Sequence, residues 1–212
     1  MKLNKIIMIL MLPFSVEAIA NNNSIVLDQS GKNNNIYMDI VGDSNLSTIN
    51  QQGTDLTTEI SVNGDNNNLT LDSEENDTEI TNINILGSYN NIDTKLNKNT
   101  NTTAEISIIN TSNFNTINLQ QIENTDSNIN LLIDGSHNTT SIEQYNSTLN
   151  TIKVNICGHS NNANLLQTGI GNTLILNQNS DNNIANISQL GDNKSIDITQ
   201  IGNGLPVNII QN

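Results

Sequence analysis

Apolar and polar residues alternate along this chain in short runs that return every 11 residues. Gly31, Gly42, Gly53 and Gly64 keep that spacing, as do the pairs Gly158 and Gly169 and Gly191 and Gly202. Taking each glycine as the start of a unit divides the chain into 17 units. They begin at Ala20, Gly31, Gly42, Gly53, Gly64, Asn76, Gly87, Asn101, Ser112, Asn124, Gly135, Ser147, Gly158, Gly169, Ser180, Gly191 and Gly202. The steps into Asn76, Asn101, Asn124 and Ser147 are longer than 11. Seven residues into each unit runs an aliphatic column that includes Leu27, Met38, Ile49, Ile60, Leu71, Ile83, Ile108, Leu119 and Leu131. It continues through Ile142, Val154, Leu165, Leu176, Ile187, Ile198 and Ile209, and Thr94 is its single break. Two residues earlier stands a second apolar column, for example Ile25, Ile36, Leu69, Ile92, Ile117, Ile129 and Ile152. Period-2 alternation over about five residues predicts a strand with one buried face, where a helix would need period 3.6. After Ala20, every unit starts with Gly, Asn or Ser, which suit tight turns.

The full period is 22 residues, because alternate units differ in character. Nine residues into the odd units stand Gln29, Gln51, Ser73, Leu96, Gln121, Gln144, Gln167, Gln189 and Gln211, where the even units mostly carry Ile or Val. Three residues into the odd units stand Asn23, Asn45, Asn67, Asn90, Asn115, Asn138, Asn161 and Asn183. One coil therefore holds two unlike strands and two turns. A single coil cannot bury its apolar face, so coils must stack. The expected fold is all-β: a two-sheet parallel β-solenoid of about 8.5 coils, amyloid-like, forming one repeat domain over 21–212. At about 4.8 Å per coil the rod would be roughly 40 Å long. Stacked Asn and Gln would form amide ladders along the interior, while Ile142, Val154, Leu165, Leu176, Ile187, Ile198 and Ile209 would form its structural core.

Composition alone points elsewhere. Asn makes up 45 of 212 residues, aromatics 2% and charged residues 13%, a profile of disorder. The fixed columns argue against that reading, since a disordered chain has no need of register. A formal net charge of -14 opposes phosphate contacts, so no nucleic-acid partner is expected. Cys157 has no second cysteine to pair with. His137 and His159 fall in turns and out of repeat register, so no metal site is expected, and no cofactor or catalytic constellation is present. The acidic residues, such as Asp72, Glu74, Glu75 and Asp77, map mostly to outward or turn positions, where repulsion slows premature stacking. Lys2 and Lys5, the apolar run from Ile6 to Leu12 and the Ala18-Ile19-Ala20 pattern predict a secretory signal peptide over 1–20. That apolar run is too short to span a bilayer, and no membrane span is expected in the mature chain. Losing Lys2, Lys5 and Glu17 would take the net charge from -14 to -15.

The residues Gly158-x-x-Asn161-x-Ala163-x-x-x-Gln167-x-Gly169 and Asn183-x-Ala185-x-x-x-Gln189-x-Gly191 resemble the curlin repeat of bacterial curli. The resemblance is close over 158–212 and weaker over 20–157, where Gln often gives way to Ile, Leu or Val. It implies a secreted structural subunit of an extracellular amyloid fibre with roles in biofilm matrix and adhesion. It also implies self-association, a nucleator subunit and an outer-membrane secretion pore as partners. The terminal units fit such stacking: Val207, Ile209 and Gln211 stay in register to the end, and Pro206 blunts that edge only in part. The alternatives are a minor nucleator or divergent curlin, and a soluble secreted solenoid that binds a surface or ice. An enzyme is not expected, because the inserts are too short to carry catalytic loops.

Overall fold

The computed structural model describes residues 14–19 and 22–212. Most of the expected leader, residues 1–13 and Ala20, lies outside the described residues. In chain order the strands are β1 (Phe14–Ile19), β2 (Ser24–Lys32), β3 (Asn35–Val41), β4 (Leu46–Thr54), β5 (Thr57–Asn63) and β6 (Asn68–Leu86). Next come β7 (Asn91–Asn97), β8 (Thr100–Ile109), β9 (Thr116–Ile122), β10 (Asn128–Asp134), β11 (Thr139–Thr148) and β12 (Thr151–Cys157). The last are β13 (Asn162–Ile170), β14 (Thr173–Asn179), β15 (Ile184–Leu190), β16 (Ser195–Ile201) and β17 (Pro206–Gln211). The fold is an all-β parallel solenoid of about eight turns.

Strands pair in parallel with the equivalent strand one coil on, which builds two sheets. One sheet runs β2, β4, the first part of β6, β7, β9, β11, β13, β15 and β17. The other runs β1, β3, β5, the second part of β6, β8, β10, β12, β14 and β16. β6 belongs to both because its 19 residues run unbroken through the corner at Glu74 to Thr78, where Glu75 and Thr78 turn the chain with φ of 55° and 54°.

The columns meet as stacks. Leu27, Ile49, Leu71, Thr94, Leu119, Ile142, Leu165, Ile187 and Ile209 lie on successive rungs of the first sheet. Ile142, Val154, Leu165, Leu176 and Ile187 are buried in one continuous core, and Ile198 and Ile209 pack against it partly buried. In the second sheet the structure corrects one column. Ile106, not Ile108, stands between Ile83 and Leu131. The unit expected to start at Asn101 starts at Asn99, whose N–H meets Asn76 as Asn124 meets Asn99. The extra residues, Asn110 and Thr111, sit in the following turn with φ of 56° and 54°. Inward parity survives because the slip is two residues, and strand faces repeat every two.

The corners allow little room. Gly135 has φ of +152°, and a Cβ there would lie 1.9 Å from the Gly158 carbonyl oxygen of the next coil. Backbone from neighbouring coils approaches so closely that only glycine fits.

Candidate functional site

The interior edge of each sheet carries side-chain amides that repeat with the coil. Asn23, Asn45, Asn67, Asn90, Asn115, Asn138, Asn161 and Asn183 are all buried at one corner. The Oδ1 of each accepts the backbone N–H of the residue one coil on, from Asn45 on Asn23 at 2.9 Å to Leu205 on Asn183 at 3.0 Å. Their Nδ2 groups donate to corner carbonyls, for example Asn23 to Gly42 at 2.8 Å and Asn138 to Gly158 at 2.9 Å. Backbone groups that leave the ladder at the turn are thus paired by an amide, as burial requires. Asn161 and Asn183 keep the accepting half, and their Nδ2 atoms have no partner.

The glutamines run parallel to this. Gln29 donates to Gln51 at 3.1 Å. Gln51 then turns to the Thr58 hydroxyl at 3.0 Å, because Ser73 and Leu96 hold the next two rungs. The ladder resumes from Gln121 to Gln144 (3.0 Å), Gln167 (2.9 Å), Gln189 (2.8 Å) and Gln211 (3.1 Å). In the second sheet Gln178 donates to Gln200 at 2.9 Å.

The second corner holds amides that the unit division misassigned. Asn76, Asn124 and Ser147, read as turn starts, and Asn99, which takes the place expected of Asn101, are buried. Their side chains accept the next coil's N–H in sequence, Asn99 on Asn76 at 2.7 Å, Asn124 on Asn99 at 3.0 Å and Ser147 on Asn124 at 3.0 Å. Elsewhere the same corner uses Asn34, Asn150 and Asn172 three residues later. The spacing of Asn76, Asn99 and Asn124 was visible in the sequence, but it competes there with Asn101.

In the gap of the Gln ladder lies Glu79, 1% exposed. Its Oε1 accepts from the Thr81 hydroxyl at 2.7 Å and the Ser73 hydroxyl at 3.2 Å, while Oε2 has no partner. Burial pushes this carboxyl up to about 7, against the pull of those hydroxyls and of the Asn76 amide.

The outer surface has its own order. Asn164, Asn186 and Asn208 form an exposed amide ladder at 2.8 Å per step. Tyr89, Phe114 and His137 stack at one corner with ring centroids 4.9 and 5.1 Å apart. His159 Nδ1 accepts the Ser136 N–H at 3.2 Å. Cys157 is exposed, and partial burial followed by the Asp134 carboxylate pushes its thiol up, which disfavours the reactive thiolate. Among the described residues no group of His, Cys, Asp and Glu could hold a metal ion, and no helix is long and apolar enough to cross a membrane.

Comparison with known families matches one segment of the solenoid. The Curlin associated repeat matches residues 20–53. The curlin match covers β2, β3 and β4, with Gln29, Asn34, Asn45 and Gln51 in ladder positions. It falls in the part of the chain where the motif comparison placed the weaker resemblance. No curated protein and no solved structure gave a match.

Proposed function

We propose that the chain is a structural subunit of an extracellular, curli-like functional amyloid fibre, exported by its leader over 1–20. One observation carries this reading: the same inward columns recur from rung to rung, the aliphatic column of the first sheet broken only at Thr94 and the corner Asn column running from Asn23 to Asn183. In the Asn column from Asn23 to Asn183, each side-chain oxygen accepts the backbone N–H of the next coil. A rung of a second copy offers the same groups as the next rung of the first, so head-to-tail addition repeats contacts the monomer already makes. The curlin repeat over 20–53 supports a structural and extracellular role. A nucleator subunit and an outer-membrane pore are the partners this reading proposes.

The test uses purified mature chain near neutral pH. Thioflavin fluorescence should rise, and aligned fibres should diffract at about 4.8 Å along their axis. A chain that stays monomeric for days, with neither signal, would sink the proposal.

A further inference from the structure

Glu79 is the one ionisable side chain among the buried residues described; all other buried polar side chains are Asn, Gln, Ser or Thr. It comes from the second sheet and reaches across to Ser73 in the first, where a Gln would complete the ladder. Thr102 lies on the rung above it, also with an unpaired buried hydroxyl.

No charge faces it. On β4 there is no ionisable residue. Glu59 on β5, Asp93 and Lys95 on β7 and Glu105 on β8 all point to solvent. On β6 itself, Glu75 and Asp77 are exposed and Asp72 and Glu74 half-buried on the outer side. Lys98, just beyond β7, is exposed and pairs with Glu123 at 3.5 Å. A carboxylate with one bare oxygen in an aliphatic and amide interior is strongly disfavoured, and without a cation the remaining remedy is a proton.

We infer that Glu79 is a proton-operated gate on closure of the solenoid: the coils around it close on the neutral acid and are loosened by the carboxylate. The unfolded chain releases this proton near the ordinary carboxyl value of 4.5 and the folded chain near 7. Folding therefore takes up a proton between those values. The contribution is fully present below about pH 4.5 and is lost as pH rises through 7. The folding constant should fall by about fifty- to a hundredfold between pH 5 and pH 8 from this group alone. The device acts on the folded coil and does not depend on fibre growth, so it is tested on the full chain before assembly.

Urea unfolding is followed by circular dichroism at pH 5, 6.5 and 8. The wild type should lose stability across that range. Glu79→Gln should lose about fifty- to a hundredfold less in its folding constant, while the exposed control Glu75→Gln should follow the wild type. An equal loss in Glu79→Gln and wild type would overturn the gate. Should Glu79→Gln fail to fold, Glu79→Leu supplies the side chain that Leu56 provides one coil below. In the wild type, the infrared band of a protonated carboxyl should be present in the folded chain at pH 6 and vanish on unfolding; its absence would equally overturn the gate.

Discussion

An inward amide and an inward aliphatic residue stabilise a rung in different ways, and the difference is measurable. Ile187 is 2% exposed and lies in the aliphatic column between Leu165 and Ile209. Ile187→Asn removes that packing and buries a polar group with no built partner, at about 3–5 kcal/mol. Gln189 accepts from Gln167 at 2.8 Å and donates to Gln211 at 3.1 Å. Gln189→Ala leaves the Gln167 Nε2 with only its weaker bond to the Thr151 carbonyl at 3.3 Å, at about 1–3 kcal/mol. The molecule already tolerates ladder breaks at Ser73 and Leu96, so Gln189→Ala should still fold. Urea midpoints should rank wild type above Gln189→Ala above Ile187→Asn. The reverse order of the two variants would mean that amides, not aliphatics, dominate the interior.

At the level of the strand, errors of two residues and errors of one have different consequences. Strand faces were legible because alternation sets them locally: Ile106 and Ile108 are both inward whichever unit start is chosen. Register along the stack was not fully legible, because Asn99 and Asn101 are equivalent as turn formers and only contact between coils selects Asn99. For the same reason the corner amides at Asn76, Asn99 and Asn124 stayed hidden, since Asn is expected at turns whether it points in or out. Glu79 falls three residues into its unit, at the inward position that Asn34 and Leu56 take in theirs, so its face was legible; that it meets no cation there was not, because only packing between the two sheets decides it. The corrected register makes a prediction. Deleting Asn110 and Thr111 together shortens a turn without moving either inward column, and stability should change by no more than about 1 kcal/mol. Deleting Ser107 alone reverses the faces of Ile108 and Ile109 and should prevent cooperative folding. Circular dichroism melts of the two deletions decide the matter. If the double deletion also unfolds the chain, the insertion has been placed in the wrong segment.

Over the whole rod the charge is uneven. Residues 22–126 hold 15 Asp or Glu and 3 Lys, a net of -12, whereas residues 127–212 hold 5 and 2, a net of -3. The uninterrupted Gln ladder, from Gln121 to Gln211, lies almost wholly in the second of these parts. The molecule thus divides into a strongly acidic part with a broken amide ladder and a weakly charged part with a continuous one. Among the described residues a single ion pair, Lys98 with Glu123, offsets the excess, and both side chains are about half exposed. The remaining repulsion acts through water and is screened over about 10 Å at 0.1 M salt. Two rods meeting end to end bring the acidic part of one within that range of the other, so the barrier to docking should be electrostatic and salt should lower it. At fixed pH, raising NaCl from about 10 to 150 mM should shorten the thioflavin lag several-fold. Replacing the surface cluster by Asp72→Asn, Glu74→Gln and Asp77→Asn should shorten the low-salt lag and flatten its salt dependence. Glu79→Gln should leave that salt slope unchanged, because a buried group is little screened. A lag that ignores salt in the wild type would show that charge repulsion between rods does not limit assembly.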